Sequence, residues 1–324
     1  MKIGDMNKQF LDRREFNRLC AAFAMSVAGG AEAFSAGPVL AAAMDTSPPN
    51  HAVKFRDGSA VPALGQGSWH LGQGRHPAEL EQEALRAGLS LGMTLIDTSG
   101  NYGNGRSEEL ISHILFSQRE RIFVVSKVET DQVAGNGIAK ACDASLRRLG
   151  TSYLDLYLLH WPVPSTQFGN VVTEFETLRA TGKIRAWGVS NFDVRQMEDL
   201  FKVSNGERCT TNQVPYSLSD RSIERDLLPW CEQHGVPVMA YSPLGGDSGT
   251  LVRDPTVTQI GAAHNCSAAA IALAWTIRSG KVIAIPESGS VAHVKENAVA
   301  RSLTLTPTEL ETLDKAFPAP STAK

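Results

Sequence analysis

The sequence predicts an α/β fold: a closed barrel of eight parallel strands alternating with helices, a (β/α)8 or TIM barrel, with a short N-terminal β-hairpin closing its bottom. Three observations carry the prediction. Eight short runs are apolar on successive residues, as strands buried on both faces are. Helix-period segments lie between them, and strict strand–helix alternation implies parallel pairing. Eight such units in about 250 residues fit one barrel. An open doubly wound sheet is the competing architecture and favours G-x-G-x-x-G after the first strand. Gly65 and Gly67 are followed by Ser68-Trp69-His70 and do not complete that spacing.

The elements follow in order. Two short apolar segments, 52–55 and 60–63, flank an Asp57-Gly58 turn and read as the hairpin. The barrel strands are then expected over 63–67, 94–97, 122–127, 154–160, 184–190, 211–214, 236–242 and 282–286. Helical periods between them include 78–91, 107–116, 138–149 and 194–203.

Functional groups of such a barrel gather at the C-terminal ends of its strands. Trp69 lies just past the first, and Asp97, Lys127 and His160 end the next three. Ser190-Asn191, Gln213 and Tyr241-Ser242 end the fifth, sixth and seventh. The stretch DTSGNYGNGRSEEL after the second strand presents Tyr102 on a Gly- and Asn-rich loop, with a helix starting at Arg106. A phenol is a poor acid at neutral pH, with a pKa of about 10. A nearby ammonium is expected to lower that pKa, and a carboxylate keeps the ammonium charged and oriented. Asp97, Tyr102 and Lys127 therefore suit a general acid that protonates a carbonyl oxygen while another group attacks the carbon, with His160 orienting the same oxygen. Each residue alone has a structural reading: an Asx turn, a loop aromatic, a solvated lysine, a core histidine. Three consecutive strand ends and the loop after the first of them delivering this set favour the chemical one.

Other function classes lack their marks. The formal charge of −3 offers no basic surplus for nucleic acid. No H-E-x-x-H, G-x-S-x-G or G-x-x-x-x-G-K-[ST] is present. Cys20, Cys142, Cys209, Cys231 and Cys266 are scattered without metal-like spacing, and Cys142 and Cys231 read as small core residues on helices. No metal site is expected.

Residues 1–43 have their own composition. Arg13-Arg14 precede an Ala-rich apolar run that ends Leu40-Ala41-Ala42-Ala43 and is broken by Gly29, Gly30, Glu32, Gly37 and Pro38. The run is a poor membrane span. Paired arginines, a weak apolar region and an A-x-A end read as a twin-arginine signal peptide, with export or a periplasmic location expected and a cytoplasmic one as the alternative. Residues 44–51 read as a linker and 52–324 as the barrel domain. Without the signal the chain carries 26 basic and 30 acidic residues, a net −4.

Several motifs together resemble the aldo-keto reductase family: DTSGNYGNGRSEELI at 97–111, SKV at 126–128, LDLYLLHWP at 154–162, GKIRAWGVSNF at 182–192, NQVPYSL at 212–218, YSPLGG at 241–246 and IPES…HVKEN at 285–297. They stand in the family's order and look closest to bacterial members that reduce methylglyoxal and other 2-oxoaldehydes. The resemblance implies an NAD(P)H-dependent oxidoreductase with a small carbonyl substrate, its cofactor bound extended and without a Rossmann domain. It implies Tyr102 as general acid, with Asp97, Lys127 and His160 completing a tetrad. Ser190, Asn191 and Gln213 would hold the nicotinamide carboxamide and Tyr241 would stack on the ring. Ser242, Leu244 and Gly246 would lie along the pyrophosphate, and Ser288, Glu296 and Asn297 along the phosphate, ribose and adenine. Trp69 and Trp161 would line the substrate pocket. A complete tetrad favours the enzyme over a sensing or regulatory subunit of the same fold, and a monomer is the expectation for this branch.

Two positions depart from the pattern. Most NADPH-using members of the family carry Lys after the Ile-Pro of the eighth strand and Arg six residues on; here Glu287 and His293 stand there. A carboxylate repels a 2′-phosphate and accepts well from ribose hydroxyls, so NADH use is expected beside NADPH. Lys295 is the nearby cation able to restore phosphate binding. Substrate loops are expected at 163–169 and 245–253, and the short tail after Leu313 suits an open pocket for varied small carbonyls.

Overall fold

The computed structural model describes residues 52–320; the proposed signal and linker lie outside the described residues. The hairpin pairs β1 (Ala52–Lys54) with β2 (Ala60–Pro62) antiparallel, Val53 opposite Val61. Gly58 takes φ 86° at the turn, a conformation that favours glycine. Val53, Phe55 and Val61 are buried, and Phe55 stacks on Phe123 with centroids 5.9 Å apart. Phe123 opens a barrel strand, so the hairpin covers the N-terminal end of the barrel.

Eight parallel strands follow in sequential order: β3 (Gln66–Gly67), β4 (Leu95–Asp97), β5 (Phe123–Val128), β6 (Leu154–Leu159), β7 (Ile184–Ser190), β8 (Asn212–Pro215), β9 (Val238–Tyr241) and β10 (Val282–Ala284). Bridges at Leu64–Ala284 and Gly67–Glu287 join the last strand to the first. The Gly65 and Gly67 amides donate to the Ala284 and Pro286 carbonyls at 2.8 and 2.9 Å. A Cβ on Gly67 would stand 2.8 Å from the Ile285 carbonyl oxygen, so this closing seam requires glycine.

The helices are α1 (Ala78–Ser90), α2 (Arg106–Leu115), α3 (Gly137–Leu149), α4 (Phe168–Ala180), α5 (Val194–Lys202), α6 (Leu227–His234), α7 (Pro255–Ala263), α8 (Ala268–Ile277), α9 (Val291–Ala298) and α10 (Pro307–Ala316). Local signals fix several ends. Asp193 with Gln196, and Thr306 with Glu309, form capping boxes, and Pro307 fills the first position of α10. Helix α8 is apolar all round because Ala270–Ile277 are buried on every face. Cys142 and Cys231 are buried in α3 and α6. Among the described residues no single helix is long and apolar enough to cross a membrane.

Alternation along the strands divides the core into two layers. Leu95, Val125, Leu156, Leu158, Met239 and Ile283 fill the barrel. Ile96, Val124, Tyr157, Leu159, Trp187 and Val189 pack outward under the helices, where Trp187 stacks on Phe175 at 5.4 Å. The same period turns the residues two further on into the mouth: Asp97 after Leu95, Lys127 after Val125, His160 after Leu158, Tyr241 after Met239 and Glu287 after Ile285. The barrel that packs its centre thereby aims its polar strand ends at one place.

Candidate active site

Asp97 leaves β4 into a loop that turns back through three left-handed residues, Gly103 (φ 58°), Asn104 (φ 57°) and Gly105 (φ 91°). Glycine and asparagine adopt this region most readily, which accounts for the loop's composition. The turn brings Tyr102 over the end of β5. Lys127 Nζ donates to Asp97 Oδ2 at 2.7 Å, to the Thr98 carbonyl at 2.8 Å and to Tyr102 Oη at 3.0 Å. Its side chain is fully buried, and that of Asp97 nearly so. All three ammonium hydrogens are used, so the lysine has one pose and holds Tyr102 in one pose.

Burial pushes the Tyr102 phenol above its ordinary pKa; Lys127 offsets part of that rise, while Asp97 and Glu129 add to it. The sequence-based expectation of a lowered phenol is corrected here: removing Tyr102 from water outweighs the ammonium, and the resting residue keeps its proton. Burial opposes the Lys127 charge, but Asp97 and then Tyr102 prevail, and its pKa lies above that of an ordinary lysine.

His160 presents its ring edge to Tyr102, with centroids 5.9 Å apart and planes at 72°. Its Nδ1 is hydrogen-bonded to Glu129 Oε1. Around it runs a second polar chain. Asn191 Nδ2 donates to the His160 carbonyl and to Ser190 Oγ, both at 3.1 Å, and Ser190 Oγ donates to the Gln213 carbonyl at 2.8 Å. Tyr241 Oη donates to Asn191 Oδ1 at 3.0 Å, and Gln213 Nε2 to Asp97 Oδ1 at 2.7 Å.

These groups open onto a cleft of about 780 Å³. Of the sequence-predicted residues, Asp97, Tyr102, His160, Ser190, Asn191, Gln213, Tyr241, Ser242, Leu244, Gly246 and Glu287 line it, with Trp69 and Trp161. Lys127 lies beneath the cleft. The two tryptophans are 54% and 50% exposed, so they offer bare aromatic faces to a ligand. Ser288, Glu296 and Asn297 are not among the lining residues. Ser288 Oγ accepts from the Ser290 amide, Glu296 is exposed and Asn297 is buried on α9.

The sequence reading missed two partners. Glu129 stands two residues beyond Lys127, on the same inward face, so the alternation that places Lys127 also points to Glu129. His70 donates its backbone N–H to Glu287 Oε2 at 2.7 Å, and its Nδ1 lies 3.0 Å from Oε1. Glu287 thus faces the cleft, fixed to the loop after β3, and no local pattern announces a contact across 217 residues of chain.

A cleft lined by amide groups, a tyrosine ring with a tethered hydroxyl and a turn with left-handed Ser242, Gly245 and Gly246 suits a dinucleotide lying extended. Comparison with known proteins extends this. Residues 63–317 match the Aldo/keto reductase family. The chain is 47% identical over 271 residues to methylglyoxal reductase YeaE of Escherichia coli (strain K12), covering 83% of this chain and 95% of that one. It is 32% identical over 262 residues to glyoxal reductase of Bacillus subtilis (strain 168), covering 81% and 91%. A solved aldo/keto reductase from Klebsiella pneumoniae, in complex with NADP and acetate, aligns with TM-score 0.80 and 42% identity, covering 84% of this chain and 96% of that one. Likeness of this extent takes in every barrel strand and the whole polar cluster at their ends, and it places this chain in the aldo/keto reductase family of oxidoreductases.

Proposed function

We propose that this protein reduces small aldehydes and 2-oxoaldehydes, methylglyoxal among them, to alcohols with NADPH as hydride donor. The observation that carries the reading is the buried Lys127 ammonium bridging Asp97 and the Tyr102 hydroxyl at the floor of the cleft. When bound, the reduced nicotinamide supplies the hydride to the carbonyl carbon. Tyr102 hydrogen-bonds the carbonyl oxygen and gives it a proton as negative charge develops there. Lys127 stabilises the phenolate left behind, and Asp97 holds Lys127. Ser190, Asn191 and Gln213 would bind the carboxamide and Tyr241 would stack on the ring. Relatives support both halves: the Klebsiella pneumoniae structures hold NADP or NADPH, and the Escherichia coli relative is a methylglyoxal reductase. The test is NADPH oxidation by the purified chain with methylglyoxal, beside Tyr102→Phe. Turnover abolished by the substitution supports the reading; cofactor binding with no turnover on any small carbonyl overturns it.

Two finer statements rest on single features. Glu287 puts a carboxylate, engaged by His70, at the end of the last strand, and a fixed negative charge weakens selection for the extra phosphate of NADPH. NADH is therefore an effective alternative, and Glu287→Lys raises the NADPH-over-NADH ratio of kcat/KM by about tenfold, about 1.4 kcal/mol. A strong NADPH preference in the unaltered protein, left unchanged by the substitution, sinks this statement. The N-terminal segment supports export of the folded monomer by the twin-arginine translocase. Replacing Arg13 and Arg14 by Lys would then retain a fused reporter in the cytoplasm, and unaltered export would count against the route.

A further inference from the structure

Strands β5 and β6 pair in parallel, Val128 beside Leu159. The His160 amide donates to the Val128 carbonyl at 2.9 Å, so the ladder runs one step past both strands. That step brings Glu129 and His160 side by side on the inward face, and Glu129 meets the His160 ring at Nδ1. The other neighbours do not hold the ring nitrogens. Asn191 binds the His160 carbonyl, Trp161 stacks at 6.2 Å and Tyr102 meets the ring edge-on. Among the described residues Glu129 is the one hydrogen-bond partner of the imidazole. A ring without such a partner turns about a broad, roughly two-fold torsion and exchanges its nitrogen and carbon edges.

We propose that Glu129 is a positioning residue for carbonyl reduction: by holding Nδ1 of His160 it turns Nε2 of that ring to the substrate in the cleft. This rests on the reductase reading given above. The carboxylate accepts the Nδ1 proton, which fixes the ring's orientation, and when both ring nitrogens carry protons Nε2–H donates to the carbonyl oxygen. The charged and titratable groups around the ring are Tyr102, Glu129, Lys127 and Asp97, and the last two are paired with each other. Glu129 also faces Tyr102, where its negative charge opposes phenolate formation. One side chain therefore acts on both groups that meet the carbonyl oxygen, through a hydrogen bond to one and through charge on the other. The two actions separate by substitution. Glu129→Gln keeps an acceptor for Nδ1 and removes the charge; Glu129→Ala removes both.

The experiment is steady-state reduction of methylglyoxal by the full chain and its Glu129→Gln, Glu129→Asp and Glu129→Ala variants, from neutral pH into the alkaline range. NADPH binding and thermal unfolding are followed in parallel. Glu129→Ala is expected to lose about 10–100-fold in kcat, the usual effect of removing a group that orients a functional histidine. Its KM for NADPH and its melting temperature stay unchanged. Glu129→Gln and Glu129→Asp recover most of the neutral-pH rate, and in Glu129→Gln the alkaline loss of activity begins at lower pH. A Glu129→Ala enzyme with the original kcat overturns the proposal. So does a loss matched by weaker NADPH binding and lower melting temperature, which marks a structural role. An unaltered enzyme that turns over no aldehyde sinks the reductase reading itself, a result distinct from an active enzyme indifferent to Glu129.

Discussion

Partial burial holds the Tyr102 phenol above its ordinary pKa, so the residue rests protonated in the site. An acid held protonated by its surroundings, beside an ammonium that receives the phenolate, is spent only when a carbonyl oxygen demands the proton. Tyr102→Phe keeps the ring and its place in the cleft and removes the donor. It is expected to lower kcat by about 10²–10⁴-fold, the range for loss of a general acid, while the Kd for NADPH changes little. Steady-state rates and fluorescence titration of the cofactor check both halves, and parallel losses in the two would place Tyr102 in binding instead. Asp97, Lys127 and His160 were legible in the sequence because each ends an apolar strand, and Tyr102 because the Gly- and Asn-rich loop after Asp97 presents it. Glu129 was not, since reading it requires the inward-facing parity of β5 carried one residue beyond the strand. Its partner ring also lies 31 residues away, joined to it only by the register of two strands.

The loop that carries Tyr102 depends on an element at its back. Arg148 from α3 lies under it: a Cβ on Gly100 would stand 2.8 Å from its Nη2, and one on Gly105 2.5 Å from its Cδ. The same guanidinium donates from Nε to Glu108 Oε2 at 2.6 Å, and Ser126 Oγ donates to Glu108 Oε1 at 2.7 Å. The Glu108 side chain is fully buried in the first turn of α2, so α2, α3 and β5 are locked together directly behind the site. Arg148→Ala would leave a buried carboxylate without its cation. The loss is expected to be about 2–4 kcal/mol, tempered because Arg148 is partly exposed. Glu108→Gln in the same background recovers part of it, since an amide costs less to bury than an unpaired charge. Denaturant unfolding of the single and double variants measures the coupling, and strictly additive losses would dissolve the pair. Elements of this kind were unequally legible. The helical periods of α1, α2, α3 and α5 announced them. Helix α8, AAAIALAWTI, has no polar face to set a period, because Ala270–Ile277 are buried all round.

At the scale of the molecule, eight strands could be counted from their apolar runs and closure expected from their number, but the contacts that make the closure could not be read. Closure depends on close backbone contact at Gly65 and Gly67 and on the long-range contact of His70 with Glu287. The closed barrel also keeps Lys127 from water and Tyr102 partly so, and this gives the protein an alkaline limit of stability. Tyr102 is raised in the folded state from a reference of 10.0, and Lys127 from 10.5. Below pH 10 both groups carry their protons folded and unfolded alike, and they leave stability flat. As pH rises past 10 the unfolded chain releases these protons first while the folded chain retains them. The folded state then binds more protons than the unfolded one, and stability falls with pH by about 1.4 kcal/mol per unit for each proton so retained. Urea unfolding at pH 8, 10 and 11 is therefore expected to show a plateau and then a steep decline. In Tyr102→Phe one of the two titrations is gone and the decline between pH 10 and 11 is shallower. Superimposable slopes for the two proteins would remove Tyr102 from the linkage, whereas a difference that grows only above pH 10 ties the site's proton to the integrity of the barrel around it.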